Sequence, residues 1–170
     1  MTKSARNTQR KTYLPSLGNE SRTVGTKTWL TPPWLLRHLG EFDLDPCAAI
    51  GQPWQTAKKQ YTELEDGLSQ TWEGRVWLNP PYGASARDWL KKMAEHRNGI
   101  ALLFARTDTK TFQEWVLPHA KSAIFLAGRV KFHDMHGVEQ DYSGAPSVLL
   151  GYGDDGKFLQ NCAVQGKFVW

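Results

Sequence analysis

The chain has 170 residues, 40% hydrophobic and 22% charged, which allows a real core and excludes a disordered polymer. No apolar run approaches membrane-spanning length and the N-terminus lacks the apolar stretch of a signal peptide, so a soluble, cytoplasmic protein is expected. Cys47 and Cys162 stand without CxxC spacing, which gives neither a disulfide framework nor a zinc site, and a formal charge of +4 is only mild support for a polyanionic partner.

Residues 1–25 read as a basic arm. Lys3, Arg6, Arg10 and Lys11 precede the first acid, Glu20. Such a segment is a solvated tail by composition and an arm for phosphates by function, and the two readings are compatible. Arg6, Arg10 and Lys11 are therefore candidate phosphate contacts. Order is expected from about Thr26, with residues 26–170 forming one domain.

"LTPPWLLRHLG" predicts a short helix, capped by Thr31, with proline in its first turn and Gly40 at its end. "EFDLDP" is a short strand closing at Asp45-Pro46. Residues 47–73 are polar and loop-like. "RVWLN" is the next strand, and "ASARDWLKKMAEHRN" an amphipathic helix with Trp89, Leu90, Met93 and Ala94 on one side. "GIALLF" is a continuous apolar strand, and "TKTFQEWVLPHA" a second helix ended by Pro118. "SAIFLAG", "RVKFH" and "SVLLGYG" are further strands, with "KFLQNCAVQGKFVW" as a final one. Alternating strands and helices argue for an α/β fold with a mostly parallel central sheet and an antiparallel C-terminal portion. Ligands of such sheets bind beyond the carboxyl ends of the strands. Three polar clusters fall there: Asp45-Pro46-Cys47, Asn79-Pro80-Pro81-Tyr82 and Arg106-Thr107-Asp108.

The second cluster is the most specific. Two prolines fix two φ angles and remove two donors, so the turn presents acceptors in a rigid arc. Acceptors suit an exocyclic amino group, and Tyr82 offers a flat face for a planar ring. Together they predict a pocket for a base rotated out of its duplex. Eight tryptophans are mostly core, with some left to stack on bases.

"NPPY" after a strand resembles the catalytic signature of amino methyltransferases that use S-adenosylmethionine. "LDPCAAIG", residues 44–51, is similar to their cofactor loop, and "WLTPP", residues 29–33, to the Thr-Pro element before it. With "ARTDTKTFQEWVLPHA", "GRVKF" and "APSVLLGY" downstream, the ordered set from Trp29 to Tyr152 resembles the bacteriophage-type DNA N6-adenine methyltransferases, the phage Dam family. The resemblance implies a compact Rossmann-like methyltransferase fold, S-adenosyl-L-methionine as cofactor, double-stranded DNA as partner and protection against host restriction. It implies Trp29, Thr31 and Pro32 at the methionine end of the cofactor. Asp45, Pro46 and Cys47 would lie under its amino acid and ribose, and Asp66 at its adenine. Asn79 and Pro80, stiffened by Pro81, would accept from the target amino group, and Tyr82 would stack on its ring.

The chain departs from the pattern at Ala49 and Ile50, where Gly and a small residue are common in the cofactor loop, and in its short interval between Asp45 and Asn79. Glu63 or Glu65 is left to hold the cofactor ribose. The alternatives are another acceptor (N4-cytosine, RNA or a protein glutamine) or a non-catalytic DNA-binding module of the same fold. "GYGDDG", residues 151–156, reads as a hairpin turn and not a pyrophosphate loop, because Asp154 and Asp155 would repel one. "HDMH", residues 133–136, reads as loop histidines and not a metal site. Arg106 and Asp108 either pair with each other or contact DNA or cofactor.

Overall fold

The computed structural model describes residues 28–170, so Arg6, Arg10 and Lys11 lie outside the described residues. Helix α1 (Pro33–Leu39) has Pro32 as its N-cap and no side-chain cap, which corrects the assignment of that role to Thr31. A proline in the first turn gives up a donor that has no intrahelical partner anyway. Gly40, at φ 79°, ends the helix in a conformation that disfavours a Cβ. Strand β1 (Leu44–Asp45) follows, and a parallel edge strand β2 (Lys59–Gln60) lies within the stretch read as loop. Two polar residues on a sheet edge carry no alternation to reveal them.

Strand β3 (Val76–Leu78), helix α2 (Ala86–His96) and strand β4 (Gly99–Phe104) fall where expected. The second expected helix is a widened π-helical turn over Phe112–Val116. Strand β5 (Ser122–Leu126) leads to a separate hairpin of β6 (Lys131–His133) and β7 (Glu139–Tyr142). Strand β7 is largely exposed, and its sequence shows no buried face. Strand β8 (Ser147–Tyr152) turns directly into helix α3 (Asp155–Asn161). That helix overturns two expectations: "GYGDDG" is a strand-to-helix junction and not a hairpin turn, and of the last segment only β9 (Gly166–Val169) is extended. A seven-residue helix is too short to announce itself by periodicity.

The main sheet has the order β2-β1-β3-β4-β8-β5-β9. Strands β2, β1, β3 and β4 are mutually parallel. Strand β8 lies antiparallel between β4 and β5, so β5 runs with β4, and β9 closes the edge antiparallel to β5. This is a mixed α/β fold whose antiparallel strands, β8 and β9, come from the C-terminal portion.

Alternation along the strands builds two cores. Val76, Leu78, Ala101, Leu103, Val148 and Leu150 face Leu90 and Met93 of α2 and Phe112 and Val116 of the π turn. Trp77, Ile100, Leu102 and Leu149 face Leu35, Leu36 and Leu39 of α1 and Leu159 of α3. At the amino end of β3, Arg75 gathers three elements. It donates to both carboxylate oxygens of buried Asp155, at 2.6–2.9 Å, and to the carbonyls of Leu39 and Glu41, both at 2.8 Å. Its guanidinium also lies over the rings of Phe42 and Phe158. The opposite, carboxyl ends of β1 and β3 are left to form a site.

Candidate active site

A cavity of about 480 Å³ opens at those carboxyl ends. Leu44 of β1 pairs with Val76 of β3, so the turns that follow the two strands are neighbours. Trp29, Thr31, Asp45, Pro46, Cys47, Asp66, Asn79, Pro80, Pro81 and Tyr82 all line this cavity. Pro32 does not; it is buried behind the wall as the N-cap of α1.

The turn after β1 is tied by its own side chains. Asp45 is 4% exposed; its Oδ1 accepts from the Cys47 amide at 3.0 Å and its Oδ2 from the Thr56 hydroxyl. Burial raises the Asp45 pKa from 3.8 to about 6, against the lowering effect of the Thr56 and Cys47 hydrogen bonds. No cation pairs with Asp45 among the described residues. Thr56 in turn accepts from the Gln52 amide at 3.3 Å. The Cys47 thiol, whose pKa burial pushes well up, stays protonated and donates to the Asn79 carbonyl at 3.3 Å. The two polar turns are thereby joined.

The Asn79 side chain is oriented from behind. Its Nδ2 donates to the Trp29 carbonyl at 3.0 Å and to Thr31 Oγ1 at 3.2 Å. Its Oδ1 accepts from the Tyr82 hydroxyl at 3.3 Å. Among the described residues nothing donates to the Pro80 carbonyl. Tyr82 lies flat on Phe104, and burial raises its pKa, so its hydroxyl remains a donor.

Asp66, at φ 50°, sits on the far wall, next to Gly67, which passes under the Pro46 carbonyl. Of the two glutamates left open by the sequence, Glu63 lines the cavity, while Glu65 is engaged by the Thr62 amide at 2.8 Å and hydroxyl at 2.6 Å. Ile50 lies on the wall, 44% exposed.

The third cluster does not join the first two. Arg106 and Asp108 are exposed and off the cavity wall, and no ion pair links them, which removes the mutual salt bridge. Both face solvent in the turn after β4, where such a pair gains little. The Arg106 guanidinium lies 6.0 Å from the ring of Phe104, the residue on which Tyr82 stacks. His133 of "HDMH" is a strand residue packed edge-on against Trp54.

Several wall residues carry no sequence signal: Gln52 and Thr56 from the polar loop, Trp89 from the helix face read as core, and Met135 from the β6–β7 turn. Only the tertiary pairing with Asp45 gives Thr56 its place.

An open sheet whose adjoining parallel strands end in a pocket walled by a buried carboxylate and polar acceptors has the arrangement in which α/β proteins hold ligands beyond their strand ends. The chain belongs to the DNA N-6-adenine-methyltransferase (Dam) family, whose model matches residues 20–151, so the resemblance read from the sequence holds. No curated protein and no solved structure matches the chain.

Proposed function

We propose that the protein transfers a methyl group from S-adenosylmethionine to the N6 amino group of an adenine flipped out of double-stranded DNA. The observation that carries this reading is the Asn79 amide. Its nitrogen is bonded to Trp29 and Thr31, which leaves its oxygen, bonded to the Tyr82 hydroxyl, as the acceptor of a residue that lines the cavity next to Pro80, whose carbonyl has no donor among the described residues. Two acceptors and no backbone donor form a receptor for an amino group with two hydrogens.

The donor set of the other half of the cavity fits the cofactor. A buried carboxylate with no cationic partner among the described residues, Asp45, suits a ligand that carries positive charge, and Asp66 and Glu63 add acceptors to the cavity lining. Trp29, Asp45, Pro46 and Cys47 would hold it. When bound, S-adenosylmethionine supplies a methyl group already activated by its sulfonium.

The rest is the work of this chain's own residues. The lone pair of an exocyclic amine is delocalised into its ring, which makes it a poor nucleophile. Asn79 Oδ1 and the Pro80 carbonyl, each taking one amine hydrogen, favour a more pyramidal and electron-rich nitrogen. Neither oxygen is basic enough to remove a proton from the neutral amine, so their role is polarisation and not general-base catalysis, and the proton that the nitrogen sheds once it is methylated and cationic passes to water. The prolines keep both acceptors in register, which lowers the entropic cost of alignment. Tyr82 offers the base a ring face, and the basic residues of the arm suit phosphates.

The test is transfer of labelled methyl from S-adenosylmethionine to DNA from a methylation-deficient host, followed by digestion and identification of the base. N6-methyladenine, lost in Asn79→Ala with an unchanged circular dichroism spectrum, is the expected result. Label in N4-methylcytosine or only in RNA would replace the acceptor, and no saturable cofactor binding would leave a non-catalytic module. Phage origin, a role in the host bacterial cytoplasm and protection against restriction belong to the same proposal. They are tested by challenging DNA from expressing cells with methyl-sensitive nucleases.

A further inference from the structure

We infer that Thr31 is a positioning residue for the Asn79 amide, acting with the Trp29 carbonyl, and not a cofactor contact at the methionine end. The inference rests on the amine-acceptor reading of Asn79 given above.

An asparagine amide has two ends of nearly equal shape and opposite polarity. Rotated by half a turn about χ2, Asn79 would present its NH2 to the incoming amine, donor against donor, and the receptor would be lost. Something must select the productive orientation. The Trp29 carbonyl can only accept, and it lies 3.0 Å from Nδ2. In the rotated state that contact would place oxygen against oxygen. Thr31 Oγ1, at 3.2 Å, takes the second Nδ2 hydrogen and removes the remaining freedom to rotate. Thr31 is 3% exposed, so water has little room to replace its hydroxyl.

The orienting segment is itself fixed. Leu30, between the two acceptors, exchanges two backbone hydrogen bonds with His133 of β6, at 2.9 and 3.0 Å. Pro32 then starts α1, whose Leu35 and Leu39 are fully buried. Residues 29–31 thus form a backboard, held by the β6–β7 hairpin on one side and by α1 on the other. On the opposite side of Asn79, Cys47 holds the backbone carbonyl. The catalytic turn is gripped at its side-chain nitrogen and its main-chain oxygen, and Oδ1 keeps the Tyr82 hydroxyl as its partner among the described residues.

Thr31→Val keeps the shape and deletes the acceptor. The expected result is a fall in kcat of about three- to tenfold, the size of one hydrogen bond, with the dissociation constant for S-adenosylmethionine and the KM for DNA unchanged. Thr31→Ser restores kcat. If Thr31→Val does not fold, Thr31→Ala carries the same expectations. An independent readout uses no turnover: in ¹⁵N spectra of the full chain, the Asn79 side-chain NH2 pair, assigned by its loss in Asn79→Ala, should show slow hydrogen exchange that speeds up in Thr31→Val and recovers in Thr31→Ser. Weaker cofactor binding with unchanged kcat, or an Asn79 NH2 signal indifferent to Thr31, overturns the inference. Absent methyl transfer by the wild type, with a protected NH2 pair sensitive to Thr31, would overturn the functional reading and leave the positioning intact.

Discussion

The ring of Tyr82 lies on that of Phe104 with centroids 4.1 Å apart and planes 7° from parallel. A second planar ring does not fit into that gap, so an incoming base meets the other face of Tyr82 or moves it. The Tyr82 hydroxyl also lies 3.3 Å from Asn79 Oδ1, the acceptor proposed for the target amine. The tyrosine therefore has two separable parts, a ring that favours stacking and a hydroxyl that competes for the acceptor. Tyr82→Phe should keep methyl transfer at or above the wild-type rate, while Tyr82→Ala should raise the KM for DNA roughly tenfold or more, the value of a lost base–aromatic stack. Phe104→Ala should raise the KM for DNA about three- to tenfold by freeing the Tyr82 ring. Steady-state methylation with labelled cofactor reads all three, and a Tyr82→Phe enzyme as impaired as Tyr82→Ala would give the hydroxyl a positive role.

Asp45 links pH to both stability and binding. Its pKa is about 6 in the fold against an ordinary 3.8, so between those values the folded protein holds the proton more tightly than the unfolded chain. The group's contribution to stability is fully present below about pH 4 and is lost as pH rises through about 6. Asp45→Asn should therefore be more stable than wild type at pH 7.5, by about 1–3 kcal/mol in urea denaturation, and no more stable near pH 4. A cationic ligand beside the carboxylate reverses the preference and favours the charged form. S-adenosylmethionine affinity should rise between pH 5 and 7 in the wild type and stay flat in Asp45→Asn, as measured by calorimetry.

The parts of this molecule legible in its sequence are those that local chemistry dictates. A strand meeting Asn79-Pro80-Pro81-Tyr82 and another meeting Asp45-Pro46 announce two turns at one edge, and the cavity unites them. Apolar runs such as "GIALLF" announce buried strands because alternate side chains serve two cores. What stayed hidden depends on distant partners. The α3 residue Asp155 looks like a turn residue until Arg75 is placed against it. Thr31 looks like a helix cap because Ser and Thr commonly are caps, yet its oxygen belongs to a residue far along the chain. Arg106 and Asp108, adjacent to a strand end like the others, miss the cavity because the turn after β4 leads outward.

The Arg75–Asp155 pair fastens α3 to the sheet at the end remote from the cavity. Asp155 is 4% exposed, and the Arg75 side chain 21%. Removing either partner strands a charge that has little water to turn to. Asp155→Ala should leave the guanidinium unpaired and lower stability by about 3–5 kcal/mol in denaturant titration. Arg75→Lys, which keeps a positive charge opposite Asp155, should retain only part of the pair's stability, since a lysine cannot serve the two carboxylate oxygens and the Leu39 and Glu41 carbonyls together. Wild-type stability in Arg75→Lys would argue for a simple point-charge interaction.

Gly67 ties the far wall of the cavity to the turn after β1. A Cβ there would come within 1.8 Å of the Pro46 carbonyl oxygen, a backbone atom that cannot rotate aside. Gly67→Ala must therefore push Pro46, and with it Asp45 and Cys47, out of register with Asn79. The stability cost should be about 1–3 kcal/mol, as for other overpacked sites. The more telling effect is on the ligand, because the residues displaced are those proposed to hold the cofactor, and its dissociation constant should rise at least about tenfold. Gly128→Ala is the matched control. Its φ of +76° is also unfavourable for alanine, but a Cβ there meets nothing within 4 Å, and it does not line the cavity. It should cost about 1 kcal/mol of stability and leave cofactor affinity unchanged. Equal loss of affinity in both variants would trace the Gly67→Ala effect to general destabilisation and not to the close approach of its backbone to Pro46.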